Sequence, residues 1–542
     1  MTALTRAALL ATVASAAGCD IGTPPNLTSP DIDDVFATPA AIEQTILSGY
    51  LSCRNTVEAG EMLQQLAVMS LEASGASSSG FILRVSIPRE VVANAAGATS
   101  IYDDFRSLAL GGRLAANAVY ALERLLRQNG SLSSDREANM RARAFGYFAI
   151  GCHQGWLAMM YDSAGVATPF LPKDTVPALS ASAVVMQSAI SMLDSAIAIA
   201  LRADTTKPGG FPLPTTWINT SVAMSRYDFV RVARSYRARF RAGVARTPAQ
   251  RALVNWADVT ADADSGITSD FLVNVSNAGT PRWSPGANVS SGNAALAPAY
   301  YGMADVSGRY DAWLALPLTQ RDTFLIQTPD LRWPQGATTA AQQTASVAPT
   351  SLASRPYFRN RPLTGAGGPT PYLRTQYDVQ RLEFIRTAVS LAGGYPEITK
   401  AEMNLLAAEG YLNAGNVAAA AARIDITRVG RGGLPALSGV VTTATQPVPG
   451  GASCVPRVPQ GPAFTSTACG TILEALKWEK RMETGRTGFG QWYFDGRGWG
   501  DLVQGTAYEF PVPYQELLAR NRPLYSLGGG LGSSAVKGTY GF

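Results

Sequence analysis

The stretch Thr471–Glu516, TILEALKWEKRMETGRTGFGQWYFDGRGWGDLVQGTAYEFPVPYQE, holds three of the nine tryptophans of this 542-residue chain and interleaves charged with aromatic residues. From Ile472 onward its first third has apolar residues at helical spacing. Glu479 and Glu483 are four positions apart, so both carboxylates fall on one face of that helix. The stretch therefore predicts a helix that carries paired carboxylates.

Glycines and prolines divide the rest of the stretch. The three glycines within 485–490 are expected to end the helix, because glycine favours the backbone conformations found after helix ends. An aromatic turn is predicted over 491–501, where four rings stand among charged residues. A docked, proline-rich strand at 510–513 then leads to another helical start at Tyr514.

Three motifs in this stretch resemble the C-terminal signature of the SusD/RagB family. The family pattern E-R-x-x-E-L is similar to Glu479–Thr484, and the pattern D-L-x-R-W-G is similar to Asp495–Gly500. The later pattern F-P-I-P-x-x-E is matched by Phe510–Glu516. The family's E-G-x-R piece is replaced by a longer glycine-rich connection, and Arg497 lies one position early. This combination is typical of a divergent branch.

The resemblance implies a mostly α fold, with a tetratricopeptide-like helical hairpin scaffold and long irregular loops. It also implies a non-catalytic surface nutrient-binding lipoprotein without a cofactor. Such a protein captures a glycan (oligosaccharide) or peptide ligand and delivers it to a TonB-dependent, SusC-like outer-membrane transporter. Two alternatives stay open, a surface-anchored glycoside hydrolase and a structural tetratricopeptide-like scaffold. The charged and aromatic cluster of 479–501 is expected to be architecture, with buried ion pairs joining helix to loop.

The composition is that of a globular protein without a basic surface block. Hydrophobic residues make up 46% of the chain, which is enough for a large core, and charged residues make up 16%. The 45 Lys and Arg residues nearly balance the 40 Asp and Glu residues. Because binding to nucleic acid relies on clustered positive charge, the sequence argues against a nucleic-acid partner.

The N-terminus has the pattern of an exported lipoprotein. Residues 1–18 combine one early arginine with an apolar run, as in a signal peptide. Ala16–Gly18 followed by Cys19 resembles a lipobox, with an ordinary cleavage site as the alternative. Buried acyl chains contribute roughly 0.8 kcal/mol per methylene, so lipidated Cys19 would be a durable membrane anchor. The family resemblance implies the outer membrane, facing the cell surface, although Asp20 is an inner-membrane retention cue in some Gram-negative sorting systems.

The mature chain divides into four parts of different character. Residues 19–39 read as a flexible polar tether, and 40–265 as an N-terminal helical part. Residues 266–395 are rich in Gly, Pro, Ser and Asn with scattered aromatics, and are predicted to be a loop-rich candidate ligand-binding region. Residues 396–542 form the C-terminal part, which carries the family-like motifs.

A helical hairpin is predicted at the start of that C-terminal part. Thr399 and Glu402 have capping-box spacing, and helical periodicity runs to Leu412. A turn separates this helix from a partner helix over 417–429. Small alanine faces let two such helices pack closely, and the pair resembles the tetratricopeptide-like hairpins of the SusD/RagB family.

Cysteine spacing favours one disulfide and allows a second. Cys454 and Cys469 lie in one loop, whose closure would remove on the order of 3 kcal/mol of chain entropy from the unfolded state. Cys53 and Cys152 would staple two scaffold helices if paired. The alternative of two separate buried thiols is equally open, because free cysteine packs as a small hydrophobe. Nothing spaces the cysteines for zinc, so no metal site is predicted.

The single histidine argues against most hydrolase mechanisms. His153 lies in the middle of a predicted core helix, and a Ser-His-Asp triad, a Cys-His pair or a multi-histidine metal site would have to use it. We expect a satisfied core or helix-surface histidine and assign no catalytic residue. A glycosidase with two carboxylates stays open, because its acids need only be close in space.

Candidate ligand-binding residues come from the loop-rich region. Its rings lie in polar, Gly/Pro-rich segments, where burying every ring is harder than inside a helical core. An exposed ring can stack on a sugar or on a peptide side chain. The sequence therefore suggests an exposed ligand platform formed by Trp283, Tyr310, Trp313 and Trp333.

Overall fold

The computed structural model describes most of the chain and is mostly α-helical, which confirms the predicted fold class. The predicted signal peptide, Cys19 and most of the predicted tether lie outside the described residues. The structure describes residues 32–59, 61–74, 89–96, 99–133, 138–172, 175–202, 210–276, 278, 282–283, 295–362, 372, 374–388 and 391–542.

The N-terminal part is dominated by long helices. They are α1 (Ile32–Val35), α2 (Pro39–Ala59), α3 (Glu61–Met69), α4 (Thr99–Arg127), α5 (Ala138–Met160), α6 (Ser182–Arg202), α7 (Thr215–Ile218), α8 (Arg226–Gly243), α9 (Pro248–Ala252) and α10 (Trp256–Asp264). The central helix is α5, which contacts α2, α4, α6 and α8. Because it is covered on so many sides, α5 is buried over nearly its whole length.

Close packing of α4 on α5 depends on two glycines opposite one histidine. A Cβ atom at Gly111 would lie 2.2 Å from Cε1 of His153, and one at Gly112 would lie 3.1 Å from its Cβ. His153 is fully buried between these helices. The ring therefore occupies space that any larger residue at position 111 would need.

Among the described helices, α6 is long and apolar enough to cross a membrane, judged by length and composition. Half of its apolar window is buried inside the protein, against α5 and α8. Asp194 on this helix forms an ion pair with Arg237 of α8. In this fold α6 therefore packs as a core helix.

The strands are short and, within the described residues, pair two by two in antiparallel sheets. β1 (Val91–Val92) pairs with β10 (Leu527–Gly528), β2 (Ser163–Gly165) with β3 (Leu179–Ala181), β4 (Phe271–Val275) with β7 (Gly393–Ile398), β5 (Phe358–Asn360) with β6 (Tyr377–Val379), and β8 (Arg457–Pro459) with β9 (Thr467–Cys469). The β1–β10 and β4–β7 pairs join early to late parts of the chain. The strand pairs thus connect distant parts of the chain, while the scaffold itself consists of helices.

The middle of the chain contains short elements between irregular segments, as its composition indicates. Its helices are α11 (Pro298–Tyr301), α12 (Arg309–Ala315), α13 (Thr339–Ala345) and α14 (Glu383–Ala388), with 3-10 turns at Gly302–Ala304 and Leu318–Gln320. Its apolar side chains form a second hydrophobic core, separate from that of the N-terminal helices. Trp478 and Trp492 of the C-terminal part belong to this second core.

The predicted hairpin is present at the start of the C-terminal part. The helices there are α15 (Lys400–Asn413), α16 (Val417–Arg428), α17 (Ile472–Thr484), α18 (Gln491–Trp499) and α19 (Tyr514–Ala519). Thr399 caps α15, because its hydroxyl accepts a hydrogen bond of 3.1 Å from the backbone N–H of Glu402. α15 packs on α16 and on α17, so the hairpin is attached to the helix of the paired carboxylates.

The predicted aromatic turn over 491–501 is wrong, because Gln491–Trp499 form α18. Gly490 adopts φ +61° at the N-cap and allows the chain to reverse into the helix. Trp492, Tyr493 and Phe494 are all buried. Burial of three successive rings on different sides of a helix outweighs the poor helix propensity of its glycines.

The proline-rich segment at 510–513 docks as an extended chain, as predicted. The backbone N–H of Phe510 donates to the carbonyl of Met160 at 2.8 Å, and the N–H of Asp162 donates to the carbonyl of Phe510 at 3.0 Å. Phe510 is fully buried. The segment therefore lies alongside the residues at the C-terminal end of α5.

The described cysteines divide into one bridged pair and two thiols. The Sγ atoms of Cys454 and Cys469 lie 1.97 Å apart, which is a disulfide. Cys53 and Cys152 are free thiols in the helical core. The structure therefore favours the separate buried thiols over the possible second bridge, because each thiol packs as a small apolar group.

Candidate functional site

The four rings suggested as ligand platform are all buried. The exposed fractions of Trp283, Tyr310, Trp313 and Trp333 are 5%, 1%, 5% and 1%. The prediction of an exposed platform at these positions is therefore wrong. The loops do bury these rings: Tyr310, Trp313 and Trp333 lie in the second hydrophobic core. Trp283 packs instead in the core of the N-terminal helices, with its ring centroid 6.2 Å from that of Tyr50.

Their contacts show how the rings are held. Trp333 stacks on Phe358 with ring centroids 3.9 Å apart. The hydroxyl of Tyr310 donates to the carbonyl of Ala299 at 2.7 Å, and Nε1 of Trp313 donates to the carbonyl of Asp322 at 2.7 Å. Paired with backbone carbonyls, the polar atoms of Tyr310 and Trp313 are satisfied inside the core.

The paired carboxylates of α17 bind a buried guanidinium from the middle part of the chain. Arg332 donates to Glu479 at 2.6 and 2.8 Å and to Asp330 at 2.8 and 2.9 Å, and all three side chains are fully buried. Burial alone would lower the pKa of Arg332, but Asp330 and Glu479 raise it well above its ordinary value. Arg332 is therefore held as a cation.

Glu483, one turn further along α17, extends this network. Its carboxylate accepts hydrogen bonds from the Tyr357 hydroxyl at 3.2 Å, from Arg381 at 2.9 Å and from Arg431 at 3.1 Å. Glu483 is fully buried. The network joins α17 to the middle part of the chain through fully buried, paired carboxylates, so its role is architectural, as expected.

The second family-like motif has the same architectural character. Asp495 accepts from Lys480 at 2.8 Å and from Arg251 at 3.1 Å. Arg497 donates to the backbone carbonyls of Tyr508 at 2.6 Å and of Gly243 at 2.9 Å. These bonds tie α18 to the neighbouring helices and to the segment that follows it.

His153 has no access to a substrate. Its Nε2 lies 3.1 Å from the carbonyl oxygen of Gly49, and its side chain is fully buried. Burial lowers the pKa of His153 to about 4, against the opposing effect of hydrogen bonds with the backbone. The ring is therefore neutral at physiological pH and serves as a core residue. Among the described residues, no group of three His, Cys, Asp or Glu side chains could hold a metal ion.

A small enclosed cavity lies beside Trp313. Its volume is about 20 Å³, and Arg89, Pro298 and Phe542 also line it. A cavity of this size has room for about one water molecule. It cannot accept a sugar ring without a change of structure, so we do not assign the ligand to it.

The α8 cleft is an open depression of about 350 Å³. One wall is formed by residues 220–224 and the first turns of α8, and the other by residues 267–272, which lead into β4. The volume falls within the usual range for small-molecule sites, roughly 300 to 1,000 Å³. The lining combines hydroxyl, carboxylate and guanidinium groups with apolar side chains, so the cleft is the candidate ligand site.

Local chemistry fixes the first wall of the α8 cleft. Ser225 is the N-cap of α8, and its hydroxyl accepts from the backbone N–H of Asp228 at 3.1 Å. The same hydroxyl donates to the Asp228 carboxylate at 2.6 Å. Arg231 donates to the other carboxylate oxygen at 2.7 Å, and both side chains of this pair stay about half exposed.

The second wall is fixed by the helical hairpin. Asp270 accepts from the backbone N–H of Lys400, the first residue of α15, at 2.8 Å. β4 follows at Phe271 and pairs with β7. The hydroxyls of Thr268 and Ser269 line the cleft beside Asp270. A rigid strand pair and a helix start therefore position this polar wall.

The sequence pattern did not identify Tyr227, whose exposed ring lies next to residues of the cleft. Tyr227 directly precedes Asp228 and lies one helical turn before Arg231, and 51% of it is exposed. Tyr227 is not among the residues that line the α8 cleft, but its position on α8 puts it next to the lining residues Asp228 and Arg231. Its sequence signal is an aromatic between two charged residues in the first turn of a helix, which is weak because many such rings are buried.

The architecture is the SusD-like fold, which confirms the family resemblance at the level of the fold. A SusD homolog from Bacteroides thetaiotaomicron VPI-5482 is 14% identical, with a TM-score of 0.55, over 92% of this chain and 98% of that one. A SusD superfamily protein from Bacteroides vulgatus ATCC 8482 is 13% identical, with a TM-score of 0.53, over 89% and 97%.

A third similar structure, from the same Bacteroides vulgatus strain, has a sugar-binding role ascribed to it. It is 11% identical, with a TM-score of 0.52, over 91% of this chain and 99% of that one. By sequence, this chain matches no known protein-family profile and no curated protein. The shared fold is thus recognised through structure.

Proposed function

We propose that this protein is a non-catalytic, surface nutrient-binding lipoprotein that captures an oligosaccharide and delivers it to a TonB-dependent, SusC-like outer-membrane transporter. The observation that carries the proposal is the SusD-like fold, shared over 91% of this chain with a protein to which sugar binding is ascribed. The α8 cleft offers a site with suitable volume and polar groups.

A binding role fits the chemistry of the described residues better than catalysis. His153 is buried and neutral, and Glu479 and Glu483 of α17 are fully buried and paired with arginines. Carboxylates held in this way cannot move a proton to a substrate that does not reach them. These features support a binding protein over the alternative of a glycoside hydrolase.

Attachment to the outer membrane is part of the proposal and rests on the sequence alone. Cys19 stands where a lipidated cysteine is expected. A lipid there would hold the protein at the membrane, facing the cell surface, and a polar tether would join it to the N-terminal helical part. This placement would bring the protein to a transporter in the same membrane.

Glycan and peptide arrays probed with the purified protein test which class of ligand it binds. The bound glycans are then analysed for shorter products of hydrolysis. Binding of oligosaccharides without release of shorter products is the expected result. Released products would instead favour the glycoside hydrolase, and binding of peptides alone would contradict the oligosaccharide assignment.

The transporter partner needs a separate experiment. A tagged chain, purified from outer membranes solubilised in mild detergent, should carry with it a TonB-dependent transporter identified by mass spectrometry. If the protein is purified alone and still binds no glycan, the structural tetratricopeptide-like scaffold becomes the better explanation.

A further inference from the structure

We propose that the α8 cleft binds an uncharged sugar residue, which stacks on Tyr227 and is held through its hydroxyls by Asp228 and Arg231. The inference rests on the proposed function and narrows it to a class of glycan and to named residues. It follows from three features: an immobilised ring next to two lining residues, a paired acceptor and donor in the cleft, and a balance of negative and positive charge around it.

Tyr227 is held in place by Arg226. The guanidinium carbon of Arg226 lies 4.7 Å from the centroid of the ring, and Nη2 donates to the Tyr227 hydroxyl at 2.9 Å. Half of the residue stays exposed. A ring fixed before binding loses little conformational entropy when a sugar stacks on it, and aromatic rings match the apolar faces of sugar rings.

Asp228 and Arg231 offer complementary groups side by side. The carboxylate accepts hydrogen bonds, and the guanidinium carries five N–H donors, of which Nη1 bonds to Asp228 at 2.7 Å. Neighbouring hydroxyls of a sugar can donate to the carboxylate and accept from the guanidinium at the same time. Ser225 orients the carboxylate through its bond of 2.6 Å. Hydrogen bonds to charged groups of this kind are stronger than neutral ones.

The charge of the cleft favours uncharged sugars over acidic ones. Asp228 and Asp270 contribute two negative charges to the lining, which Arg231 in the lining and Arg226 beside Tyr227 balance, so that an acidic sugar gains no net attraction. Oδ1 of Asp270 accepts from the backbone of Lys400, and its other oxygen forms no hydrogen bond within the described residues. A uronate or a sulfated sugar would bring a further anion against these carboxylates.

The test uses isothermal calorimetry with defined probes on the full mature chain. Maltohexaose, xylohexaose and mannohexaose are the neutral probes, and hexagalacturonate is the acidic probe. We expect at least one neutral hexamer to bind. Tyr227→Ala, Asp228→Asn and Arg231→Gln should each weaken that binding at least tenfold, while hexagalacturonate binds more weakly than the neutral probe.

Two controls separate binding from folding. Tyr120→Ala removes a ring of similar exposure, 45%, from α4, which does not line the cleft, and should leave the affinity unchanged. Tyr227→Leu keeps an apolar side chain but removes the stacking surface, and should also lose affinity. Thermal melts of all variants should match the wild type.

The outcomes distinguish this inference from the proposed function. A neutral hexamer that binds all three cleft variants with wild-type affinity overturns the inference but leaves glycan capture in place. Tighter binding of hexagalacturonate overturns it as well. If neither the hexamers nor any array glycan binds the wild type, the proposed function fails, and this inference fails with it.

Discussion

At the scale of single residues, the SusD-like fold of this chain depends on charges removed from water. Arg332, Asp330 and Glu479 are fully buried, and each is stable there only because the others are present. Breaking a buried pair leaves an uncompensated charge, whereas an exposed pair contributes little. Removing an arginine should therefore cost much more stability in a buried ion pair than in an exposed one.

We predict that Arg332→Met destabilises the protein by about 3 to 5 kcal/mol, because it leaves buried carboxylates without a counter-charge. The free energy of unfolding is measured by urea denaturation. Arg374→Met is the matched control, because Arg374 pairs with Asp322 at the surface, where 47% of each side chain is exposed. A loss as small for Arg332→Met as for this control would show that the network does not stabilise the fold.

A second buried acid introduces pH dependence. Glu58 is fully buried in the helical core. Burial and the nearby Glu397 raise the pKa of Glu58 to about 8, from 4.5, against the opposing effect of Arg54. The folded protein therefore keeps a proton on Glu58 over a pH range in which the unfolded chain has lost it.

The direction in which stability changes with pH follows from the raised pKa of Glu58. Because the pKa is raised in the folded state, stability is fully present below pH 4.5 and decreases as the pH rises towards about 8. We predict that Glu58→Gln removes this decrease, so that the variant gains stability over the wild type as the pH rises from 5 to 8. Urea denaturation at each pH provides the measurement, and Glu90→Gln controls for the loss of an exposed carboxylate. Parallel curves for wild type and Glu58→Gln would contradict the prediction.

At the scale of secondary-structure elements, helix contacts decide the fold more than helix propensity does. α4 and α5 approach closely at Gly111, where a Cβ atom would lie 2.2 Å from the His153 ring. Replacing a helical glycine by alanine usually stabilises a helix by about 1 kcal/mol. Here the added methyl group has no free space, and overpacking costs about 1 to 3 kcal/mol.

We therefore predict that Gly111→Ala lowers the melting temperature, against the trend set by helix propensity. A double-mutant cycle with His153→Ala identifies the cause, because removing the ring should relieve the clash. Gly111→Ala should then cost less in the His153→Ala background than in the wild type. An equal cost in both backgrounds would place the effect elsewhere in α4.

Individual elements differ in how far the sequence predicts them. α6 and the α15–α16 hairpin follow from apolar periodicity and from the capping residue Thr399, which are local signals. α18 could not be predicted in the same way. Its glycines and consecutive rings indicate a turn by local preference, and only the burial of those rings from several sides makes a helix the more stable structure.

At the scale of the whole molecule, the proposed function requires attachment to the outer membrane. Cys19 is the single site inferred for the lipid. We predict that Cys19→Ala moves the protein from the membrane fraction to a soluble fraction, because acyl burial of roughly 0.8 kcal/mol per methylene is lost. Cell fractionation, together with incorporation of labelled palmitate into the wild type, tests this.

The membrane in which the anchor resides is tested with a second variant. Asp20→Ser removes the residue that resembles an inner-membrane retention cue. If wild type and Asp20→Ser both sediment with outer membranes, Asp20 does not direct sorting in this chain. Wild-type protein without labelled palmitate, and Cys19→Ala still bound to outer membranes, would together reject the anchor.

Local sequence patterns are enough to predict the helical class, the hairpin, the architectural role of Glu479 and Glu483 and the resemblance to the SusD/RagB family. These follow from periodicity, capping and short motifs, which are properties of neighbouring residues. The tertiary structure alone decided which rings are buried and where the cleft lies. Trp333 is enclosed because Phe358 and Trp478 pack against it, whereas Tyr227 stays half exposed on α8. Exposure depends on contacts between residues far apart in the chain, which local sequence patterns do not encode.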